Sequence, residues 1–494
     1  MTSRDREQSI EWESLATPQR FQYVDWPAQF VDHVNDVTIS RDENMQLRLV
    51  AAGVVKDSAE LVRRRQEDNA ILPGAFIPSI DISVNALGSQ LELKMHLENS
   101  PSGIRASATG TSFEQNGIVH RLRRTFAHKF SPDESMQGLV PLTGPAWTTD
   151  WYINGENGLR FTQATTRRRR ASFTRNRRFG DMAIDELTNG HDSWDHLVVD
   201  SDHLRFAFCK VPEESGDSLL RPIRIDFNHP SPSVDTRVAI GEILSFVVGR
   251  RMMWLGSTTF DATGWPIEEE AVNPFGSNLK DQCTHSSFPP IPLNWDGEQV
   301  EQAISTLLPK YLALREPLKL RDALWSYWIA KESTPGIDLP IFASAIEGLS
   351  RSWFASTGSK SRGLHVAAEK YRELVGDLLD ALDEQLRLAG LPDEIGRTIA
   401  GANRMGGNEK MKVFYREIGL VVGKNEKAAV DARHRVAHGN PADENLEEIV
   451  KFGRSYCTLF ERVFLKLLGY EGQYVDRTTL GHPARDLDQP AGGT

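Results

Sequence analysis

A chain of 494 residues exceeds what one ordinary hydrophobic core holds, so the sequence predicts several domains. With 39% hydrophobic and 25% charged residues it is not a disordered chain, and a net charge of −11 excludes a protein coated in basic surface for nucleic acid. Three widely separated cysteines, without a CxxC pair, exclude a disulfide framework and a zinc knuckle.

The first residues, MTSRDREQSI, are charged and lack the apolar segment of a secretory signal. No apolar run of about 18 residues, the length that spans a bilayer, follows them. We therefore expect a cytoplasmic protein without membrane contact.

The first part of the chain, residues 20–290, alternates apolar and polar residues between turn formers, which predicts antiparallel β-structure. Helical insertions are predicted at residues 51–67 and 236–249. A turn-rich stretch, SPDESMQGLVPLTGP, allows a division into two β-rich lobes, residues 1–140 and 141–290.

The last part of the chain is predicted to be an all-α bundle, because after a turn-rich linker its apolar residues recur at helical spacing. The faces first indicated are Val300, Ile304, Leu307, Leu308 and Tyr311; Leu324, Trp325, Trp328 and Ile329; and Phe342, Ala345, Ile346, Leu349 and Trp353. Further helices are predicted at residues 364–389, 391–403, 408–421, 425–438 and 443–468. The fold class is thus α+β and multidomain, with a helical domain at 295–480 and a flexible tail at 481–494.

The segment VDARHRVAHGNP, residues 430–441, places an arginine five residues before a histidine near the end of a predicted helix. The same spacing occurs at Arg123/His128, Arg224/His229 and Arg477/His482. The first two lie in strand patterns, where an odd offset sends side chains to opposite faces, and the last lies beside the tail. Only Arg433 and His438 fall in a helix of the bundle.

Arg433 and His438 flank the small apolar side of this helix when residues are placed at about 100° intervals. Burying both against an apolar partner without hydrogen bonds is costly, so this face is expected to meet a subunit, a ligand or a cleft. Gly439 is expected to end the helix, with Asn440 or Asp443 capping the next one.

The segment ARHRVAHGNP resembles the arginine–polar–x3–histidine motif of the HEPN superfamily of α-helical ribonucleases, with His434 where asparagine is frequent. Upstream, DLPIFASAIEGLSRSW is similar to the helix with the apolar–Glu–x–Leu signature in the ApeA-like branch, here with Glu347. The helix ENLEEIVKFGRSYCTLFERVFLKLLGYEGQY resembles the closing helix of that domain, so the resemblance spans about residues 300–475.

The resemblance implies RNA cleavage without a metal or other cofactor, by two Arg–His motifs that meet in a homodimer or higher homo-oligomer. An imidazole with a pKa near 6.5 can move a proton at neutral pH, as attack by a ribose 2′-hydroxyl on its own phosphodiester requires. A guanidinium matches phosphate oxygens. His438 is therefore assigned proton transfer, and Arg433 the stabilisation of the transition state.

Supporting roles are assigned to three residues, namely His434, Asp431 and Glu347. Asp431 can orient the imidazole of His434, although an exposed i,i+3 contact is the simpler interpretation. Glu347 can support the site from the upstream helix, although it lies away from the apolar stripe and can equally be a solvated or interface glutamate.

Zinc binding is the rival chemistry, because His434 and His438 are i,i+4 neighbours and Asp431 shares their face. The glutamate of an HExxH site is absent, and Arg433 and Arg435 disfavour a divalent cation. We therefore predict no metal at this site.

A basic segment, RRRRASFTRNRR, interrupts the acidic chain with seven arginines and one phenylalanine. It can guide RNA or sense a trigger through phosphate contacts, or it can be a solvated pair of strands facing acidic neighbours. The arginines assigned to RNA binding are Arg167, Arg168, Arg169, Arg170, Arg175, Arg177 and Arg178.

The sequence therefore indicates an endoribonuclease acting on tRNA or mRNA, restrained by its N-terminal half. The family resemblance implies a role in antiviral defence by abortive infection, with a phage-derived trigger. The alternative is a non-catalytic nucleic-acid or protein interaction module, in which Arg433 and His438 form an interface.

Overall fold

The structure is a computed structural model that divides the chain into two compact units. The first comprises Met1–Phe288 and Leu293–Ser305, and the second comprises Pro289–Pro292 and Thr306–Thr494. The residues it describes are 13–22, 33–55, 59, 80–86, 89–97, 102–107, 110–126, 128–130, 139–141, 144–154, 163–166, 192–201, 204–211, 222–261, 266–274, 288–293, 297–356, 363–390, 395, 397–398, 401–437 and 446–492.

The first unit is rich in β-structure, as the alternating pattern predicts, and carries helix α1 (Val234–Val248). Its strands are β1 (Gln19–Gln22), β2 (His33–Arg41), β3 (Leu47–Val55), β4 (Ile80–Ala86), β5 (Ser89–Leu97), β6 (Ser102–Ser107), β7 (Gly110–Phe126), β8 (His128–Phe130), β9 (Leu139–Pro141), β10 (Pro145–Ile153), β11 (Gln163–Thr166), β12 (Asp192–Ser201), β13 (Leu204–Lys210), β14 (Ile223–Asn228), β15 (Met253–Asp261) and β16 (Pro266–Val272).

Fourteen of these strands form one curled antiparallel sheet in the order β1-β2-β3-β7-β16-β15-β10-β14-β13-β12-β11, in which β5 and β6 also pair with β7 and β4 pairs with β5. Strand β7 is long enough to pair with β3 along its first half and with β16 along its second half. Strands from both predicted lobes, 1–140 and 141–290, therefore share one sheet.

The predicted helix at residues 51–67 is wrong at its start, because residues 51–55 belong to β3. In this strand Leu47, Leu49 and Ala51 are buried in the core, and the backbone pairs with β2 and β7. The alternating pattern of the strand therefore outweighs the helical propensity of its alanines. Of the remaining residues of that prediction, all but Ala59 lie outside the described residues.

The predicted helix at residues 236–249 is confirmed by α1. Ser233 caps its first turn by accepting a hydrogen bond from the backbone N–H of Thr236, at 3.2 Å. Gly249, with a left-handed φ of 72°, ends it. Arg237 on this helix forms a buried ion pair with Asp150 of β10, which joins the helix to the sheet.

The second unit is helical, with two short strands near its end. Its elements are α2 (Gly297–Leu314), which begins in the first unit, α3 (Leu320–Glu332), α4 (Asp338–Ser356), α5 (Ala368–Leu388), α6 (Gly407–Glu417), α7 (Lys424–Ala437), α8 (Leu446–Leu467), β17 (Gln473–Val475) and β18 (Ala484–Asp486). The chain is thus α+β overall. None of the described helices is both long and apolar enough to cross a membrane.

Helix α8 lies at the centre of the second unit because its aromatic side chains pack against several other helices. Phe460 stacks on Tyr327 of α3 with ring centroids 4.9 Å apart, and Phe464 lies 6.2 Å from Tyr311 of α2. The predicted apolar faces of α2 and α4 are buried, apart from a partly exposed Trp353.

The predicted face of α3 is only half correct. Leu324 and Trp328 are buried, but Trp325 and Ile329 are exposed. The buried face is instead centred on Leu320, Leu324 and Tyr327, and the hydroxyl of Tyr327 donates to Glu461 of α8.

Residues 481–492, expected to form part of a flexible tail, pack onto the helical unit. Leu487 and Ala491 are buried, and β18 pairs with β17. The carboxylate of Asp476 accepts hydrogen bonds from Arg485 and from the backbone N–H of Gly492. These contacts order a segment whose composition resembles that of a tail.

Candidate functional site

Helix α7 carries the predicted catalytic arginine. The helix begins after Gly423, whose backbone N–H donates to Glu426 at 2.6 Å. Its inner face is formed by Ala429 and Ala432, both fully buried, and these small side chains let α7 pack closely against α4 and α8. Arg433, the residue after Ala432, is therefore held near the meeting point of three helices.

The guanidinium of Arg433 has partners on both neighbouring helices. It forms an ion pair with the carboxylate of Glu347 on α4 and donates a hydrogen bond to the hydroxyl of Tyr456 on α8. The side chain of Arg433 is 19% exposed and that of Glu347 is 41% exposed. A guanidinium has five N–H donors, so these two contacts use only part of its capacity.

Arg433 stays charged in this setting. Burial lowers the pKa of Arg433, but its interactions with Tyr456 and Glu347 outweigh that effect and raise the pKa above its ordinary value. Burial raises the pKa of the Tyr456 hydroxyl to about 12, although Arg433 opposes the change. Tyr456 is therefore neutral at pH 7, and the negative charge facing Arg433 there comes from Glu347.

Tyr415 of α6 adds a second neutral hydroxyl to this cluster. Burial raises its pKa well above the ordinary value, and the charge of Glu347 acts in the same direction. Neither Tyr415 nor Tyr456 can serve as a base at neutral pH. Both hydroxyls therefore carry no charge at neutral pH.

Of the predicted site residues, the structure brings Arg433 and Glu347 together. Asp431 is exposed on the same helix. His434 lies within α7, but its side chain is outside the described residues, as are His438 and the expected cap residues that follow it. The basic segment at 167–178 is also outside the described residues.

The other Arg-x4-His arginines have structural partners. Arg224 is buried in β14 beside Asp226, and Arg477 is buried with its Nε and Nη2 both donating to the carboxylate of Glu461. Arg123 on β7 pairs with Glu268 of the adjacent strand.

Tyr456 and Tyr415 are the residues of the cluster that the sequence analysis missed. Tyr456 occupies the aromatic stripe of α8 that continues through Phe460 and Phe464. A tyrosine among phenylalanines in a buried stripe is a usable signal, because its hydroxyl needs a partner. No comparable pattern marks Tyr415.

A second polar cluster lies between α3 and α8. Glu461 of α8 accepts bonds from Arg477 and from the hydroxyl of Tyr327, which also bonds Lys331 at 3.1 Å. Burial lowers the pKa of Lys331 to about 8. The carboxylate of Glu461 and its basic neighbours balance one another in charge. We therefore interpret this cluster as one that stabilises the bundle.

No protein-family model, curated protein or solved structure matches the chain. The functional assignment therefore rests on the residues of the site and on their arrangement.

Proposed function

We propose that the protein is a metal-independent endoribonuclease whose catalytic residues are Arg433 and His438. The observation that carries the proposal is the placement of Arg433, charged and partly exposed, between Glu347 and Tyr456 in the last turns of α7. His438 follows directly after the last residue of that helix. In the sequence the two residues that the reaction needs are thus five positions apart.

Arg433 acts on the phosphate in this proposal. Its remaining N–H donors bind the non-bridging oxygens of the scissile phosphodiester and stabilise the charge that develops in the transition state. Glu347 and Tyr456 limit the directions in which the fork can point. Such fixed orientation matters because a misplaced donor loses most of its effect on the rate.

His438 moves the protons. One imidazole removes the proton of the 2′-hydroxyl, which attacks the neighbouring phosphorus and expels the 5′-oxygen. That oxygen receives a proton from His438 of the partner subunit, so the products are a 2′,3′-cyclic phosphate and a 5′-hydroxyl. His434 and Asp431 support this arrangement from the same helix.

The β-rich unit supplies substrate guidance and restraint in this proposal. The arginines between 167 and 178 contact the phosphates of tRNA or mRNA, or those of a phage-derived trigger. Cleavage after triggering stops infection of a bacterial cell. Expressed in bacteria, residues 295–494 are then more toxic than the whole chain, and equal or lower toxicity counts against the restraint.

Incubation of purified protein with tRNA and with total RNA in EDTA tests the proposal. The wild type cuts RNA or, where its N-terminal half restrains it fully, residues 295–494 do; His438→Ala and Arg433→Ala abolish the cleavage in either form. Arg435→Ala, a charge removal on the same helix, is the matched control and retains cleavage. If His438→Ala still cuts, or instead loses its assembly, the site is an interaction surface and the ribonuclease proposal fails.

A further inference from the structure

Helix α5 (Ala368–Leu388) is amphipathic but buries none of its residues. At about 100° per residue its apolar side chains cover an arc of about 180°. One half of that arc is partly buried, namely Tyr371, Val375, Leu379, Leu382 and Leu386. The other half carries Leu374, Leu378 and Leu388, and it is exposed.

The exposed half forms a row along one side of the helix. Leu374 is 62% exposed, Leu378 is 69% exposed and Leu388 is 67% exposed. Single exposed leucines are normal on protein surfaces, but a row along one helix face is characteristic of a binding surface. A second helix laid along this row would cover it.

The charges beside the row identify the partner. Lys370, Asp377 and Glu384 recur at intervals of seven residues, so they line the same edge of the leucine row. The edge is basic at its first position and acidic at its last. A copy of the same helix running in the opposite direction therefore presents acid to base at both ends.

We propose that two copies of this chain associate through α5, paired antiparallel about a twofold axis near Gly376. Leu374 of each copy packs against Leu378 of the partner subunit, and Tyr371 against Ala381 of the partner subunit. In this register Lys370 lies opposite Glu384 of the partner subunit, twice. Asp377 lies opposite Asp377 of the partner subunit, which is the unfavourable contact.

Other occupants fit the surface less well. Parallel pairing sets Lys370 against Lys370 of the partner subunit and Glu384 against Glu384 of the partner subunit, so both contacts are repulsive. The helix contains six acidic and three basic residues, so its net charge of −3 disfavours RNA and anionic lipid. Glu384 is already bonded to Arg387 of its own helix at 2.8 Å, but both side chains are exposed and can re-pair at little cost.

The association is expected to be concentration-dependent. A helix of 21 residues is about 30 Å long and offers three heptads to its partner, which is at the small end of specific interfaces. The inference does not rest on the proposed ribonuclease activity, because it needs neither Arg433 nor RNA. It does supply a surface by which two copies could be held together.

Sedimentation of the full-length chain across micromolar concentrations tests the pairing. Lys370→Glu and Glu384→Lys each make both end contacts repulsive and weaken the dimer about tenfold or more, whereas the double variant regains wild-type affinity. Asp377→Asn strengthens it. Asp380→Lys, a charge reversal on the opposite face of α5, is the matched control and leaves the affinity within about threefold.

Cross-linking distinguishes this surface from any other dimer interface. In a Cys283→Ser background, copies carrying Lys370→Cys cross-link to copies carrying Glu384→Cys, and neither variant cross-links with itself. Self-cross-linking of either variant indicates a parallel pair and overturns the proposal. The proposal is also overturned if the wild type and all the charge variants show the same oligomeric state, whether monomer or dimer, with the same affinity.

Discussion

The guanidinium of Arg433 on α7 forms an ion pair with the carboxylate of Glu347 on α4, and Tyr456 on α8 accepts a further bond from the same guanidinium. The contact joins residues that are far apart in the chain and lie on different helices. It leaves Arg433 partly exposed and charged. The account of function depends on this arrangement, because it fixes the direction of the arginine fork.

Glu347→Gln removes the charge that holds Arg433 and keeps the shape of the side chain. We predict a loss of RNA cleavage of about tenfold in kcat/KM, because the fork loses its orientation. The free energy of unfolding falls by less than about 1 kcal/mol, since Glu347 is well exposed. Cleavage assays measure the change in kcat/KM, and urea unfolding curves measure the change in stability. Glu373→Gln, at an exposed glutamate, is the control. Unchanged cleavage would show that Glu347 does not position Arg433.

Tyr456→Phe deletes a buried hydroxyl and one bond to Arg433. We predict a loss of about 1 kcal/mol in stability and a severalfold loss of cleavage. The pH–rate profile below pH 10 keeps its shape, because a pKa of about 12 leaves Tyr456 protonated throughout that range. Tyr474→Phe is the matched control, since Tyr474 is another buried tyrosine, bonded to the carbonyl of Gln489. A profile that changes shape would assign Tyr456 a role in proton transfer.

Arg462 of α8 and Glu426 of α7 form an ion pair in which both side chains are fully buried. Arg462 also donates to the carbonyls of Val421 and Leu487. Arg462→Met leaves the charge of Glu426 buried without its partner, so we predict a loss of about 3–5 kcal/mol in the free energy of unfolding. Arg387→Met, at an exposed pair, costs less than about 0.5 kcal/mol. Similar unfolding midpoints for the two variants would be inconsistent with the burial of this pair.

Glu269 of β16 makes the β-rich unit sensitive to pH. Burial raises the pKa of Glu269 from 4.5 to about 7, with Arg124 opposing the shift. Between these values the native state holds a proton that the unfolded chain releases. The protonation of Glu269 therefore stabilises the folded state fully below pH 4.5, and this stabilisation is lost as the pH rises through 7.

Glu269→Gln removes this dependence. We predict that the variant is more stable than the wild type at pH 8, by on the order of 2 kcal/mol, and that the difference disappears below pH 4.5. Thermal unfolding across this range measures it. Glu270→Gln, at the adjacent residue that pairs with the exposed Arg121, is the control variant. A wild type that is the more stable protein at pH 8 would contradict the raised pKa.

The alternation of apolar and polar residues was sufficient to predict the β-rich part. The helical spacing of apolar residues predicted the helical part and located α1, α4 and α8 closely. Residues 51–55 were misassigned because alanine and valine fit either structure, and only pairing with β2 and β7 decides. The unity of the sheet could not be predicted, since it depends on β7 reaching two partners along one edge. Local composition contains no information about such pairing.

The candidate site was partly accessible from the sequence. The Arg–His spacing pointed to Arg433, and the helix signature pointed to Glu347. The structure joins these two residues in an ion pair. The contact itself follows from how α4, α7 and α8 pack, which spacing within one helix does not determine. Tyr456 was missed because a tyrosine in an apolar stripe is first assigned to the core.

The most direct test of the account identifies the ends of the RNA that the protein produces. We predict that the wild type in EDTA leaves 2′,3′-cyclic phosphate and 5′-hydroxyl ends, and that a 2′-deoxy substitution at the cut position abolishes cleavage there. Arg433→Lys, which keeps the charge but loses the fork, should cut at least about tenfold more slowly. Products with 3′-hydroxyl and 5′-phosphate ends, or cutting that requires a divalent cation, would contradict the proposed chemistry.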